Sequence, residues 1–146
     1  MAQPFNIHSE TAKAWNKRDY EQLRRLYHPD YVYTGSDGKE WGGGPEAGLA
    51  IARMFATAFP DGTLEVKRVL TEGDTAIAEM VGRGTHEGEF MGVPPTHRRV
   101  EVPICNVIEV RDGKAYRERE YMDMLAIMTQ LGVSLEGQKT RTSSPA

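Results

Sequence analysis

Across residues 98–110 the chain alternates with a period of two. Val100, Val102, Ile104, Asn106, Ile108 and Val110 fall on one side, and Arg99, Glu101, Glu109 and Arg111 on the other. Alternation of this length predicts a strand with one dry and one wet face, as in an antiparallel sheet that covers a core. Such a strand needs neighbours, and the flanking sequence supplies them. Residues 64–71 and 75–86 read as two strands joined by a turn at Glu72-Gly73-Asp74, and residues 115–123 read as a fourth. The expectation is a curved four-stranded meander, with residues 88–96, containing Pro94-Pro95, looping over it.

Upstream the period is helical. Phe5, His8, Ala12 and Trp15 share one helix face over about residues 4–17. Asp19 can cap a short second helix carrying Leu23 and Leu26, which His28-Pro29-Asp30 ends. Tyr31-Val32-Tyr33-Thr34 reads as a brief strand before the turn Gly35-Ser36-Asp37-Gly38. Pro45, after Gly42-Gly43-Gly44, suits the first turn of a third helix, which places Ala47, Ile51, Met54, Phe55, Ala58 and Phe59 on one side. A last short helix holds Leu125, Met128 and Leu131. Helices first and a long meander afterwards argue for an α+β domain with the helices on one face of the sheet. One domain over residues 1–135 and a polar, disordered tail over 136–146 are expected.

Composition excludes several classes. A chain of 146 residues fits one core, and at this size it needs no disulfide or metal to fold. Its single cysteine, Cys105, rules out an internal disulfide, and no Cys/His pair has zinc-finger spacing. The net charge of −3, with both signs interspersed, argues against nucleic acid; Lys17-Arg18 and Arg24-Arg25 read as a solvated helix face. No apolar run is long enough to span a membrane. The N-terminus shows neither the basic nor the apolar region of a signal peptide, so a cytoplasmic location is expected.

Asn106 is the polar side chain on the buried face of the long strand. It must find partners or lose roughly 1–3 kcal/mol. It is either a core amide bonded to backbone or a hydrogen-bond donor inside a pocket. On the preceding strand Ala76, Ala78, Met80, Gly82, Gly84 and His86 share a side, and the two glycines leave either room for a guest or a bulge in a bent sheet. His86 ends that strand on the same side. The side on which the last strand presents its carboxylates depends on the hairpin at Arg111-Asp112-Gly113. A two-residue turn sets Arg117, Arg119, Tyr121 and Asp123 beside Asn106; a three-residue loop sets Tyr116, Glu118 and Glu120 there. In the second register Glu120 lies on the apolar face, where burial raises its pKa into the range useful for proton transfer. The alternative is a surface ion pair with Arg99 or Arg117.

The segment Gly84-Thr85-His86-Glu87-Gly88-Glu89-Phe90-Met91-Gly92-Val93-Pro94-Pro95-Thr96 resembles the link between two sheet strands in the SnoaL-like polyketide cyclases, of the nuclear-transport-factor-2-like and ketosteroid-isomerase-like superfamily. Asp112-Gly113-Lys114, Arg119-Glu120-Tyr121-Met122-Asp123 and Gln130-Leu131-Gly132 match that family's C-terminal signature, and His28-Pro29-Asp30-Tyr31 and Gly44-Pro45 also fit. The resemblance implies a cone: a strongly bent, mostly antiparallel sheet wrapped around the N-terminal helices and enclosing an apolar pocket. It implies that Glu120 is the general acid/base, which selects the three-residue hairpin, and that Asp123 is a second carboxylate at the strand end. Asn106 stands where a family member carries a pocket histidine, Tyr33 where one carries an asparagine, Trp15 at a pocket aromatic, and His86 at a motif histidine.

Glu120 replaces an aspartate, and Asn106 cannot shuttle a proton near neutral pH as histidine does. Limonene-epoxide hydrolase chemistry needs an Arg and an Asp where Met80 and Gly82 stand. The expectation is therefore an enzyme, a cyclase or isomerase, that needs no metal or cofactor and takes a small hydrophobic carbonyl compound. Glu120, Asn106 and His86 would act on it, and Trp15, Tyr33, Ile51, Phe55, Phe59, Met80, Met91, Ile104, Ile108 and Asp123 would surround it. A non-catalytic binding domain and a hydratase or dehydratase are the alternatives. A homodimer through the sheet is also expected.

Overall fold

The computed structural model describes residues 2–134; the expected tail from residue 136 lies outside them. Helices α1 (Ile7–Asn16), α2 (Tyr20–Leu26) and α3 (Pro45–Ala58) alternate with and precede the strands, and α4 (Met124–Gln130) follows them. The sheet has six strands rather than four, in the order β2-β1-β6-β5-β4-β3. The meander is β3 (Thr63–Glu72), β4 (Thr75–Thr85), β5 (Arg99–Arg111) and β6 (Lys114–Met122). It gains β1 (Tyr27–Thr34), parallel to β6, and the short edge strand β2 (Glu40–Gly42), antiparallel to β1.

Both additions follow from local chemistry. Pro29 drives the residue before it into extended backbone, so α2 stops at Leu26 and the strand begins at Tyr27. Proline has no N–H for a ladder, and the β1–β6 register is accordingly interrupted between Tyr27 and Val32. Helix α1 begins later than expected. Phe5 lies outside it and is 68% exposed, while Ile7 is fully buried in its place. Asp19 caps α2 by accepting from the Gln22 amide.

The hairpin between β5 and β6 differs from both readings of the sequence. Arg111 pairs with Lys114, so the turn has two residues, and Asp112 and Gly113 both have positive φ (53° and 71°), as a type I′ turn requires. The register then shifts between Glu109 and Val110: Val110 faces Ala115, whereas Glu109 faces Arg117. Tyr116 is the extra residue of a β-bulge. The bulge reverses the parity of the strand, so Glu118 lies opposite Ile108, and Glu120 opposite Asn106. The expected inward face at Glu118 and Glu120 is present, but a bulge produces it and not a longer loop.

The inner face of the sheet and the helices share two adjoining apolar clusters. One centres on Ile7, Leu23, Leu49 and Tyr31, the other on Ala58, Met80, Phe90 and Leu131; Phe55, Leu64 and Val69 pack against both. No helix among the described residues is long and apolar enough to cross a membrane. The start of α3 is tightly specified. Gly44, its N-cap, has φ 72° and ψ −148°, and an added Cβ would lie 2.3 Å from the Pro29 carbonyl oxygen. Gly44→Ala is expected to lower stability by about 1–3 kcal/mol through this backbone conformation alone, and by more through the clash. A urea titration checks it; an unchanged midpoint would contradict the account.

Candidate active site

Inside the curve of the sheet lies a cavity of about 140 Å³. Its walls are mostly apolar: Trp15 from α1, Ile51 and Phe55 from α3, Phe59 after it, Phe90 from the loop, and Ile104 from β5. Its polar side chains gather chiefly on β1 and β6, where Tyr27, Tyr31, Tyr33, Glu118 and Glu120 line it. Alternation explains the grouping. Tyr31 and Tyr33 share one face of β1, Glu118 and Glu120 one face of β6, and the parallel pairing aligns Tyr33 with Glu118.

Tyr31, Tyr33, Glu118 and Glu120 form one hydrogen-bonded network centred on Asn106. Its amide nitrogen donates to Glu118 Oε2 at 2.8 Å and to Glu120 Oε2 at 3.2 Å. Tyr31 Oη donates to Glu118 Oε1 at 2.6 Å, and Tyr33 Oη to Glu120 Oε1 at 2.8 Å. Two carboxylates facing the amide need donors, which orients its oxygen away from them. That oxygen lies 2.9 Å from His8 Nε2, so the ring donates from Nε2. Among the described residues, His8 Nδ1 is buried without a partner. Burial lowers the His8 pKa, against the opposing pull of Glu118 and the Asn106 bond, which keeps the ring neutral.

Glu120 is pushed up to about 7, first by burial and second by the charge of Glu118; the bonds from Tyr33 and Asn106 pull the other way. Burial, reinforced by the two carboxylates, holds Tyr31 and Tyr33 well above the usual phenol range. Both phenols are therefore neutral donors near neutral pH. The result is a carboxyl group poised between its two protonation states at the wall of a greasy cavity, where it can take or return a proton.

Comparison with known proteins identifies the family. The model of the SnoaL-like polyketide cyclase family matches residues 7–131. The chain belongs to the SnoaL-like polyketide cyclases. It is 28% identical over 120 residues to the nogalonic acid methyl ester cyclase of Streptomyces nogalater, covering 82% of this chain and 90% of that one. It is 26% identical over 134 residues to an aklanonic acid methyl ester cyclase of Streptomyces peucetius, covering 90% and 92%. Among solved structures, IdmH of Streptomyces antibioticus, assigned as a polyketide cyclase, superposes with a TM-score of 0.77 at 34% identity, covering 90% of this chain and 99% of that one. Membership in this family makes the chain an enzyme of the cyclase kind.

Within this cyclase the residues singled out from sequence take different places. Glu120, Trp15, Tyr33, Ile51, Phe55, Phe59 and Ile104 line the cavity. Asn106 is buried behind the wall, and its amide hydrogens are taken up by the carboxylates, so it organises the acids and has none left for a guest. His86 is fully buried away from the wall. Its Nδ1 accepts from the Thr96 amide at 3.1 Å, which fastens the 88–97 loop to the end of β4, and its ring packs against Phe59. Met80 and Ile108 are core residues beneath the cavity surface, and Met91 is 62% exposed on the loop. Asp123 caps α4 by accepting from the Ala126 amide at 3.0 Å.

Sequence reasoning missed His8, Tyr31 and Glu118 as a set. The signals were present: His8 shares its helix face with Ala12 and Trp15, Tyr31 has the parity of Tyr33, and Glu118 that of Glu120. Among the described residues no group of three His, Cys, Asp or Glu side chains could hold a metal ion.

Because Glu120 is held above its ordinary value of 4.5, the folded state binds the proton that the unfolded chain releases. Its contribution is favourable at low pH and declines as pH rises from about 4.5 to about 7. Glu120→Gln should therefore gain stability relative to the parent over that interval, by up to about 3 kcal/mol above it. Denaturant titrations at pH 5 and pH 8 check the sign; equal differences at both would remove the burial account.

Proposed function

We propose that this cyclase closes a ring by intramolecular aldol addition on a small hydrophobic carbonyl compound, with Glu120 as general acid/base and no cofactor. The observation that carries the reading is the Glu120 carboxyl, raised to about 7 and exposed to an apolar cavity. Its carboxylate takes a proton from the carbon next to a carbonyl. The resulting enolate carbon attacks a second carbonyl carbon of the same molecule, forming a C–C bond and an alkoxide. Glu120 then returns its proton to that alkoxide, so acid and base are one group in two states. Tyr33 and Asn106 hold the carboxylate in place through both steps, and Glu118 keeps its proton affinity high.

The cavity is close in volume to an apolar void of about 150 Å³ that accommodates benzene. One ring of a larger substrate fits beside the carboxylates. The rest extends past exposed Thr63 and half-buried Arg83, which line the cavity on the β3–β4 side. Nogalonic and aklanonic acid methyl esters, named for the relatives, are the first substrates to test. Isomerisation by the same proton transfer is the simpler reaction of this site.

The reading includes a cytoplasmic homodimer joined through the outer sheet face, where Leu70, Ile77 and Tyr121 are exposed. Sedimentation gives the assembly state.

Glu120→Gln should reduce turnover of the methyl esters by at least a thousandfold, while substrate still binds and the fold melts cooperatively. In the parent, kcat/KM should rise with pH and level off above about 7, as the free-enzyme base loses its proton. Product formation followed by chromatography decides; a Glu120→Gln enzyme with normal turnover would remove the base from the mechanism.

A further inference from the structure

Proton removal places negative charge on the substrate's carbonyl oxygen, and a dry site must offer that oxygen a donor. The polar side chains that line the cavity differ in what remains free: Thr63 is exposed, and half-buried Arg83 donates to Glu65 at 2.8 Å. Tyr31 and Tyr33 donate to Glu118 and Glu120, and the Thr11 hydroxyl donates to the Ile7 and His8 carbonyls of its own helix. Behind the wall, Asn106 has both amide hydrogens committed. Tyr27 differs. It lines the same cavity and is 7% exposed, and among the described residues its hydroxyl has no hydrogen-bond partner.

Its position is built with care. Tyr27 opens β1 just where the ladder to β6 is interrupted, and its ring lies 4.4 Å from that of Tyr31. The phenol end of the ring rests against α3 at Gly48. A Cβ there would lie 2.6 Å from Tyr27 Cζ and 2.5 Å from Cε2, so any side chain at 48 would drive the ring from its place. Burial and the charges of Glu118 and Glu120 hold the phenol well above its ordinary range, which keeps its proton in place to be donated. A phenol hydroxyl without a partner inside the protein is free to donate to a guest.

We propose that the Tyr27 hydroxyl is the hydrogen-bond donor to the substrate's enolising carbonyl oxygen, lining the same cavity as the base and completed only when a guest is bound. The proposal rests on the acid/base reading of the same site, but the oxygen-recognition step can be measured without turnover. The probe is 4-nitrophenol, a single ring whose oxygen imitates an enol, with nitrobenzene as the partner lacking that oxygen.

By calorimetry on the full chain at pH 6, the parent should bind 4-nitrophenol more tightly than nitrobenzene. Tyr27→Phe should weaken 4-nitrophenol about tenfold, leave nitrobenzene within twofold, and lower kcat on the methyl esters about a hundredfold. Gly48→Ala, which keeps the hydroxyl but displaces the ring, should show the same selective loss and serves if Tyr27→Phe folds poorly. Equal losses for both probes, no loss for either, or a parent without preference for 4-nitrophenol would overturn the assignment. If the selective loss is seen but neither ester is turned over, the donor stands and the cyclisation reading falls. If Glu120→Gln is inactive while Tyr27→Phe keeps its probe preference, the base stands and the donor falls.

Discussion

The site depends on one amide. Asn106 sits between two carboxylates of the adjacent strand and gives each of them a hydrogen, while its oxygen takes the hydrogen of a neutral histidine. Two acids side by side, largely withdrawn from water, repel each other and lose hydration. The amide and the two tyrosine hydroxyls return part of that loss by occupying all four carboxylate oxygens. Donors of this kind would normally lower a carboxyl pKa, yet Glu120 remains high because burial and its neighbour outweigh them. The network therefore fixes the acids in space without abolishing the affinity of Glu120 for a proton. A histidine at 106 could carry charge of its own; the amide here can only organise.

Position 106 links sheet and helix as well. Through His8 it ties β5 to α1, and α1 carries Trp15, whose indole nitrogen donates to the Ala52 carbonyl of α3 at 3.0 Å. The cavity wall and the acid cluster are thus held by one continuous set of contacts across three elements. Loosening the amide would move walls and acids together. This is how a binding surface made of three helices and a bent sheet can keep a proton-transfer group in register with its guest.

Much of this was legible in the sequence where a period was long enough to read. The alternation around Asn106 located the central strand and its dry face, and the helical spacing of Trp15, Ile51 and Phe55 located walls that do line the cavity. What escaped had physical reasons. The place of β1 in the sheet is set by β6, a partner from the far end of the chain, and β2 is a three-residue edge strand on β1, so its short pattern carries little signal alone. The parity of Glu118 and Glu120 depends on a bulge, which one sequence does not distinguish from a longer turn. Met80, Ile108 and Asn106 share the inward face with Ile104, but periodicity states which way a side chain points and not how deep it lies. His86 ends a strand on the inner side, which suggests a ligand-facing group, but the Thr96 amide and Phe59 enclose it there.

The Tyr116 bulge has a further implication for how such folds diversify. Opposite faces of β6 carry unlike chemistry: acids on one, and Arg117, Arg119 and Tyr121 on the other. A single-codon deletion there would turn the ribbon over by one residue and present guanidinium groups to the interior in place of carboxylates. A lineage could thus exchange an acidic chamber for a basic one without redesigning any wall. The length of the hairpin is then as much a heritable determinant of chemistry as the identity of any side chain it carries.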